Sequence, residues 1–218
     1  MIPSLDITYR SRHGAVQESL HVFIDAGLKY KWLSENEWTD DPEKVMQVFE
    51  LGFGTGLNAL LTAKEALSFK RKISYITIEP EPLEPEMAIL LNYKDEAGYL
   101  KKMHQAEWNT PVEIHSWFKF TKFKTTLADF NLHDNAVGFP TAGAIFDLVY
   151  FDAFGPLTQP ELWSGQSFAK VASMMKTGAI LTTYCSKSVV RKTMMAAGFT
   201  VKKIQGPYGK REMVRAMK

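Results

Sequence analysis

Cysteine is almost absent: Cys185 stands alone in 218 residues. An internal disulfide framework is therefore impossible, and one cysteine suits a reducing compartment. No apolar run approaches the roughly 18 residues that a membrane-crossing helix needs. The opening residues, MIPSLDITYRSRHG, lack the apolar core of a secretory signal. The expectation is a cytoplasmic protein with no membrane partner. The five histidines (His13, His21, His104, His115 and His133) are scattered without ligand spacing, so no metal is expected. A strong charge imbalance is missing too, with 26 Lys and Arg against 24 Asp and Glu. Repeats and low-complexity tracts are absent.

What is present fits one globular domain. The chain is 45% apolar and 23% charged, enough to bury a core without staples. Charge is unevenly placed: Lys187 to Lys218 holds nine Lys or Arg and one acid, Glu212, whereas the first 40 residues hold four against six acids. A basic C-terminal part is compatible with an anionic partner such as nucleic acid, and equally with a solvated basic face.

Along the chain, residues 1–40 show weak periodicity with a strand-like LHVFI at Leu20 to Ile24, and read as an N-terminal appendage with short strands. Asp41-Pro42-Glu43 resembles a helix start. From 41 to 218 apolar runs alternate with helical segments. KVMQVFEL, KISYITIE, VEIHSWFKF, AIFDLVYFD, AILTTY, FTVKKIQ and REMVRAM read as strands. Leu57 to Leu67, residues 86–105, Leu162 to Met175 and Val189 to Ala197 read as helices, with Gly178 near the cap of the third. This alternation predicts an α/β fold with a mostly parallel sheet, in which ligands sit beyond the carboxyl ends of the strands.

Glu50-Leu51-Gly52-Phe53-Gly54-Thr55-Gly56 lies at such an end. Glycines between strand and helix let backbone approach a ligand closely. The spacing is GxGxG, not the GxGxxG of dinucleotide sites, and no GK[ST] follows for a nucleoside triphosphate. An acid before the loop suits a cationic ligand, and Glu79, at the end of the second strand, can accept both hydroxyls of a ribose. Together these point to S-adenosylmethionine; another nucleotide cofactor and a purely structural turn stay open. Asn58 follows the loop. Asp129 can accept from an adenine amino group, or be a surface cap. Asp152 ends the fourth strand, followed by a stiff loop with Phe154, Gly155, Pro156 and Pro160; its alternative role is a loop cap. Phe154, Tyr184 and Trp163 can stack on a base or belong to the core. Cys185 reads as structural or pocket lining.

ELGFGTGLN (Glu50 to Asn58), YFDAFGPLTQPELWS (Tyr150 to Ser164), TGAILTTYCSKSVVRKTMMAAGFTV (Thr177 to Val201) and GPYGKREMVRA (Gly206 to Ala216) resemble the tRNA 5-methylaminomethyl-2-thiouridine methyltransferase family. GAVQESLHVFIDAGL (Gly14 to Leu28) extends the likeness, which covers most of the chain. The resemblance implies a Rossmann-like class I S-adenosylmethionine-dependent methyltransferase, with a seven-stranded, mostly parallel sheet and helices on both faces. The implied reaction methylates the primary amine of 5-aminomethyl-2-thiouridine at the wobble position of tRNA. It implies that Glu50, Gly52 and Gly54 line the methionine end of the cofactor, with Glu79 on the ribose, Asp129 on the adenine, and Phe53, Thr55, Gly56, Asn58 and Asp152 also in the cofactor site. Asp152 and Phe154 would flank the target amine. Lys187, Arg191, Lys192, Lys202, Lys203, Lys210 and Arg211 would meet tRNA. A chain ending at Lys218 has no room for the flavin-dependent oxidase of bifunctional relatives, so another enzyme is expected to supply the aminomethyl group. The rival readings are a methyltransferase of a small amine metabolite and a catalytically silent RNA-binding module; an NAD-dependent oxidoreductase is disfavoured by the glycine spacing.

Overall fold

The computed structural model describes residues 12–34, 38, 41, 43–84, 87–88, 90–91, 93–131 and 143–218. Runs that are apolar at nearly every position suit strands covered on both faces, and they form the centre of the sheet. β1 is Met46–Leu51, β2 Ile73–Ile78, and, with β3 (Val112–His115) and β4 (Phe118–Phe123) between, β5 is Phe146–Phe151. Every residue of β2 and β5 is buried. β6 (Met175–Thr183) lies parallel beside β5, and the hairpin of β7 (Thr200–Gln205) and β8 (Glu212–Met217) closes that edge antiparallel. The order is β3-β4-β2-β1-β5-β6-β8-β7.

Helices cover both faces. On one lie α1 (Arg12–Ser19), a π-helical segment (Leu20–Lys29), α2 (Tyr30–Ser34), α3 (Leu57–Phe69) and α4 (Tyr99–Gln105). There Val22, Phe23, Ala59 and Met103 share a core with Val48, Tyr75, Leu148 and Tyr150. On the other lie α5 (Gly165–Met174) and α6 (Ser188–Ala196), whose Phe168, Val171, Val190 and Met194 pack with Phe49, Val149 and Phe151. The α/β Rossmann-like reading holds, with eight strands rather than seven. The addition is VEIHSWFKF, which folds as a hairpin instead of one strand. His115 and Phe118 pair across it, and Trp117 N donates to His115 Nδ1 at 3.2 Å. Neither Gly nor Pro marks that turn, so alternation ran through it unbroken.

Other local expectations are corrected. LHVFI is not a strand: Leu20–Ile24 is the start of the π-helical segment, and Tyr30 N donates to the carbonyl of Asp25, five residues back. A short apolar run cannot be told from a buried helix by periodicity. Val22, Ile24 and Leu28 are wholly buried. Gly27 permits the close approach: a Cβ there would stand 3.2 Å from Thr182 Oγ1 and 3.3 Å from the Tyr150 ring. Asp41 caps a turn and not a helix, accepting from Glu43 N at 2.9 Å just before β1; Asp40 and Pro42 lie outside the described residues. Within residues 86–105, the described helical residues are 87–88 and α4. The third helix is split into a 3-10 turn, Pro160–Trp163, and α5. Gly178 caps nothing: α5 passes directly into β6, and Gly178 sits inside that strand at φ +78, beside a register shift in the β5–β6 pairing. An isolated glycine in a strand commonly marks such a bulge. Among the described residues, no helix is long and apolar enough to cross a membrane.

Candidate active site and cofactor cradle

From β1 the chain builds outward through β2 and β4 on one side, and β5 returns to β1's other side. Such a reversal opens a crevice at the carboxyl ends of the two central strands. The glycine loop leaves β1 there, with φ of +93, +49 and +76 at Gly52, Gly54 and Gly56. Gly52 N donates to Ile78 O at 3.1 Å, and Asp152 N to Leu51 O at 3.2 Å. A Cβ on Gly52 would lie 3.1 Å from the Asp152 carbonyl oxygen, so crowding adds to the strain of its positive φ.

Asn58, in the first turn of α3, ties the crevice together. Its Nδ2 donates to Glu50 Oε1 at 3.0 Å and to Asp152 Oδ2 at 2.9 Å. Glu50 is wholly buried. Burial first, and the Asp152 charge second, push its carboxyl up to about 8, against the opposing pull of the Asn58 hydrogen bond. At neutral pH Glu50 thus carries a proton, and a cation brought beside it would favour release. Its Oε2 faces the hydroxyls of Tyr75 and Thr77, and none of the three atoms has a well-formed hydrogen bond. Glu50 is therefore not the ready anion that its place before the loop suggests.

Glu79 follows β2 and is half-buried. Its Oε2 accepts from Gly54 N at 2.9 Å and its Oε1 from Glu81 N at 3.0 Å. Each oxygen keeps acceptor capacity for a hydroxyl, and burial raises its pKa. Phe53 is turned inward, its ring 5.0 Å from His104 and 5.5 Å from Phe120, so its side chain is core. Thr55 is engaged as well: Tyr93 donates to its hydroxyl at 3.1 Å and His104 Nε2 to its carbonyl at 3.1 Å. Asp129 is not joined to this network; it lies on an exposed turn, where Thr126 Oγ1 donates to its carboxylate at 2.7 Å.

The loop after β5 is rigidly held. Phe154 N donates to Gln159 Oε1 at 3.1 Å, Trp163 Nε1 to Phe154 O at 2.8 Å, and Tyr184 Oη to Ala153 O at 2.8 Å. Phe154 is half-buried. Trp163 belongs to the core, packed edge-on to Phe151 and Tyr184, and Cys185 is buried in the same core. Among the basic residues, Lys187, Lys192, Lys202, Lys203 and Arg211 are exposed. Arg191 Nε donates to Ser186 O at 3.2 Å, Lys203 pairs with Glu212 at 2.7 Å, and Lys210 pairs with Glu18. Among the described residues no three His, Cys, Asp or Glu gather as for a metal.

Tyr184, read from the sequence as a stacking or core residue, braces the loop of Asp152 from β6's end, and one contributor, Lys122, was not read from the sequence. Lys122 shares its strand parity with Phe118 and Phe120 in FKFTKF, a cation on the inward face, and it is buried. Its Nζ donates to His104 O at 2.6 Å and lies 4.5 Å above the Trp108 ring, and burial holds its ammonium down to about 8. Strand register adds its neighbours: Lys122 pairs with Thr77, and Thr77 with Glu50.

A family model described as S-adenosyl-L-methionine-dependent methyltransferase matches residues 95–218. The curated tRNA 5-methylaminomethyl-2-thiouridine biosynthesis bifunctional protein MnmC of Nitrosospira multiformis is 30% identical over 213 residues, spanning 95% of this chain and 33% of that protein. Its namesake in Leptospira interrogans is 30% identical over 213 residues, spanning 96% and 32%. The chain thus spans about a third of the length of these relatives. Among solved structures, MNMC2 from Aquifex aeolicus matches with TM-score 0.70 at 22% identity, over 96% of this chain and 63% of that one. Spermidine synthase from Thermotoga maritima matches at 0.55 with 11% identity, over 96% and 62%; both likenesses speak for the fold.

Proposed function

The chain belongs to the S-adenosyl-L-methionine-dependent methyltransferase family, and on that premise we propose that it methylates the primary amine of 5-aminomethyl-2-thiouridine at the wobble position of tRNA. The observation that carries the reading is the Asn58 bridge, which sets Asp152 beside the glycine loop. The tRNA modification printed in the relatives' names supplies the acceptor class.

The cofactor is S-adenosylmethionine, and the residues fit it: a glycine loop at positive φ where a Cβ on Gly56 would collide, a buried acid beneath it, and a second acid placed for a diol. When bound it supplies a methyl group already activated on a sulfonium. Gly52, Gly54, Gly56 and Asn58 would line its methionine end, with Glu50 beneath and Glu79 on the ribose. Phe53 and Thr55 would contribute backbone only, since their side chains are engaged. Asp129 would need to leave Thr126 to reach an adenine.

What the chain must do chemically is hold an unprotonated amine in line with that methyl. An alkyl amine is mostly protonated near pH 7. Asp152 orients it and takes or relays its proton. A carboxylate also stabilises the ammonium, which cannot attack; positioning is therefore its first task. Phe154 offers a ring beside the acceptor. The base would leave the anticodon stack to enter, which costs least in a loop. To test acceptor class, labelled cofactor would be offered with tRNA from a strain lacking the modification, and separately with a panel of small amines. Label in tRNA alone supports the proposal; label in a small amine alone replaces it.

A further inference from the structure

We infer that the hairpin joining β7 to β8 carries a nucleobase-stacking subsite built on Tyr208, which takes a single-stranded nucleotide neighbouring the target. The inference rests on the tRNA reading above and adds a residue that the basic cluster does not include. Strand register places the hairpin. β8 runs antiparallel to β6, with Val214 opposite Thr183, and Glu212 lies opposite Gln205. Residues 206–211 therefore emerge at the edge where the parallel strands end, the edge that holds Glu50 and Asp152.

Tyr208 is 105% exposed. Leaving an aromatic ring wholly in water forgoes its burial, and a turn tip would accept a small polar residue at less cost. The ring is nonetheless held on a stiff support. Lys210 N donates to Pro207 O at 2.8 Å across a turn whose third residue, Gly209, has φ +82. Beneath it, Gly206 N donates to Arg211 O at 3.3 Å. A rigid aromatic contributes contact area at little entropic cost.

The surroundings select the ligand. A shallow concavity of about 450 Å³ lies against the hairpin, lined by His21, Tyr208, Lys210 and Arg211 among others. Arg211 is exposed at its margin, and Lys210 lies 4.5 Å above the Tyr184 ring while pairing with Glu18. An isolated exposed ring flanked by cations matches how single-stranded nucleic acid is held, by base stacking beside phosphate contacts. The hairpin also reaches the acceptor loop through Tyr184, whose ring lies under Lys210 and whose hydroxyl donates to Ala153 O between Asp152 and Phe154.

The test compares wild type, Tyr208→Ala and Tyr208→Phe with tRNA bearing the aminomethyl group. It reads tRNA Kd by fluorescence anisotropy, steady-state kcat and KM, and cofactor Kd by calorimetry. Removing the ring should weaken tRNA binding roughly 5- to 150-fold, chiefly through KM. Phenylalanine should restore binding, and cofactor Kd should not move. Unchanged tRNA binding by Tyr208→Ala, alongside active wild type, would overturn the subsite and leave the tRNA reading intact. Wild type that neither binds nor methylates tRNA would overturn both.

Discussion

At the residue scale, Asp152 and Glu50 share one amide but differ in surroundings, and that difference divides their work. Asp152 is half-buried at the mouth of the crevice. Asp152→Ala should lower kcat by roughly 10²- to 10⁴-fold, with a far smaller loss in cofactor affinity; equal losses in turnover and calorimetric binding would contradict its role. Glu50 gives a pH signature. Its pKa rises from 4.5 to about 8 in the folded, cofactor-free protein, so the folded state holds a proton that the unfolded chain has released. Its stabilising contribution is complete below about 4.5 and is lost as pH rises to about 8. Urea midpoints of the cofactor-free protein should fall across that window, and Glu50→Gln should flatten the fall. The position of Glu50 was legible because an acid before GxGxG is a pattern. Its protonation was not, since that depends on burial and on Asp152, 102 residues further along the chain.

At the element scale, the helical layer before β1 is part of the sheet's packing. The π-helical segment crosses β5 and β6 so closely that a Cβ at Gly27 would press on Thr182, Tyr150 and Leu148 at 3.2–3.4 Å. Gly27→Val should destabilise the fold by about 1–3 kcal/mol, measured by urea denaturation, although it lies far from the glycine loop in sequence. The central strands and α3 were readable because continuous apolar runs and glycine punctuation agree. The errors fell where one signal stood alone. LHVFI was short enough to be either element, Ser116-Trp117 turned without glycine or proline, and Gly178 marked a bulge rather than a helix end. In each case tertiary partners decided the outcome: the sheet face beneath Val22 and Phe23, the pairing of β3 with β4, and the carbonyl of Gly178 that accepts from Lys31 Nζ at 3.0 Å.

At the scale of the whole molecule, the cofactor crevice and the hairpin joining β7 to β8 share one edge of the sheet. Charge counting located the basic segment but could not say which cations face solvent; Lys203 and Lys210 are partly committed to Glu212 and Glu18. The exposed Lys187, Lys192 and Lys202 should carry much of any phosphate contact. Replacing each with Gln should weaken tRNA binding across sequences and reduce the slope of log K against log salt by about one. An unchanged slope for the triple variant would place tRNA elsewhere. The central claim, that this edge delivers a methyl group to a wobble-base amine, is tested most directly by mass-spectrometric nucleoside analysis of undermodified tRNA incubated with protein and S-adenosylmethionine. The account predicts that the aminomethyl nucleoside gains the mass of one CH2 on its side-chain nitrogen, and that Asp152→Ala largely abolishes the gain. Label appearing on another nucleoside, or none appearing with folded, cofactor-binding protein, would contradict it.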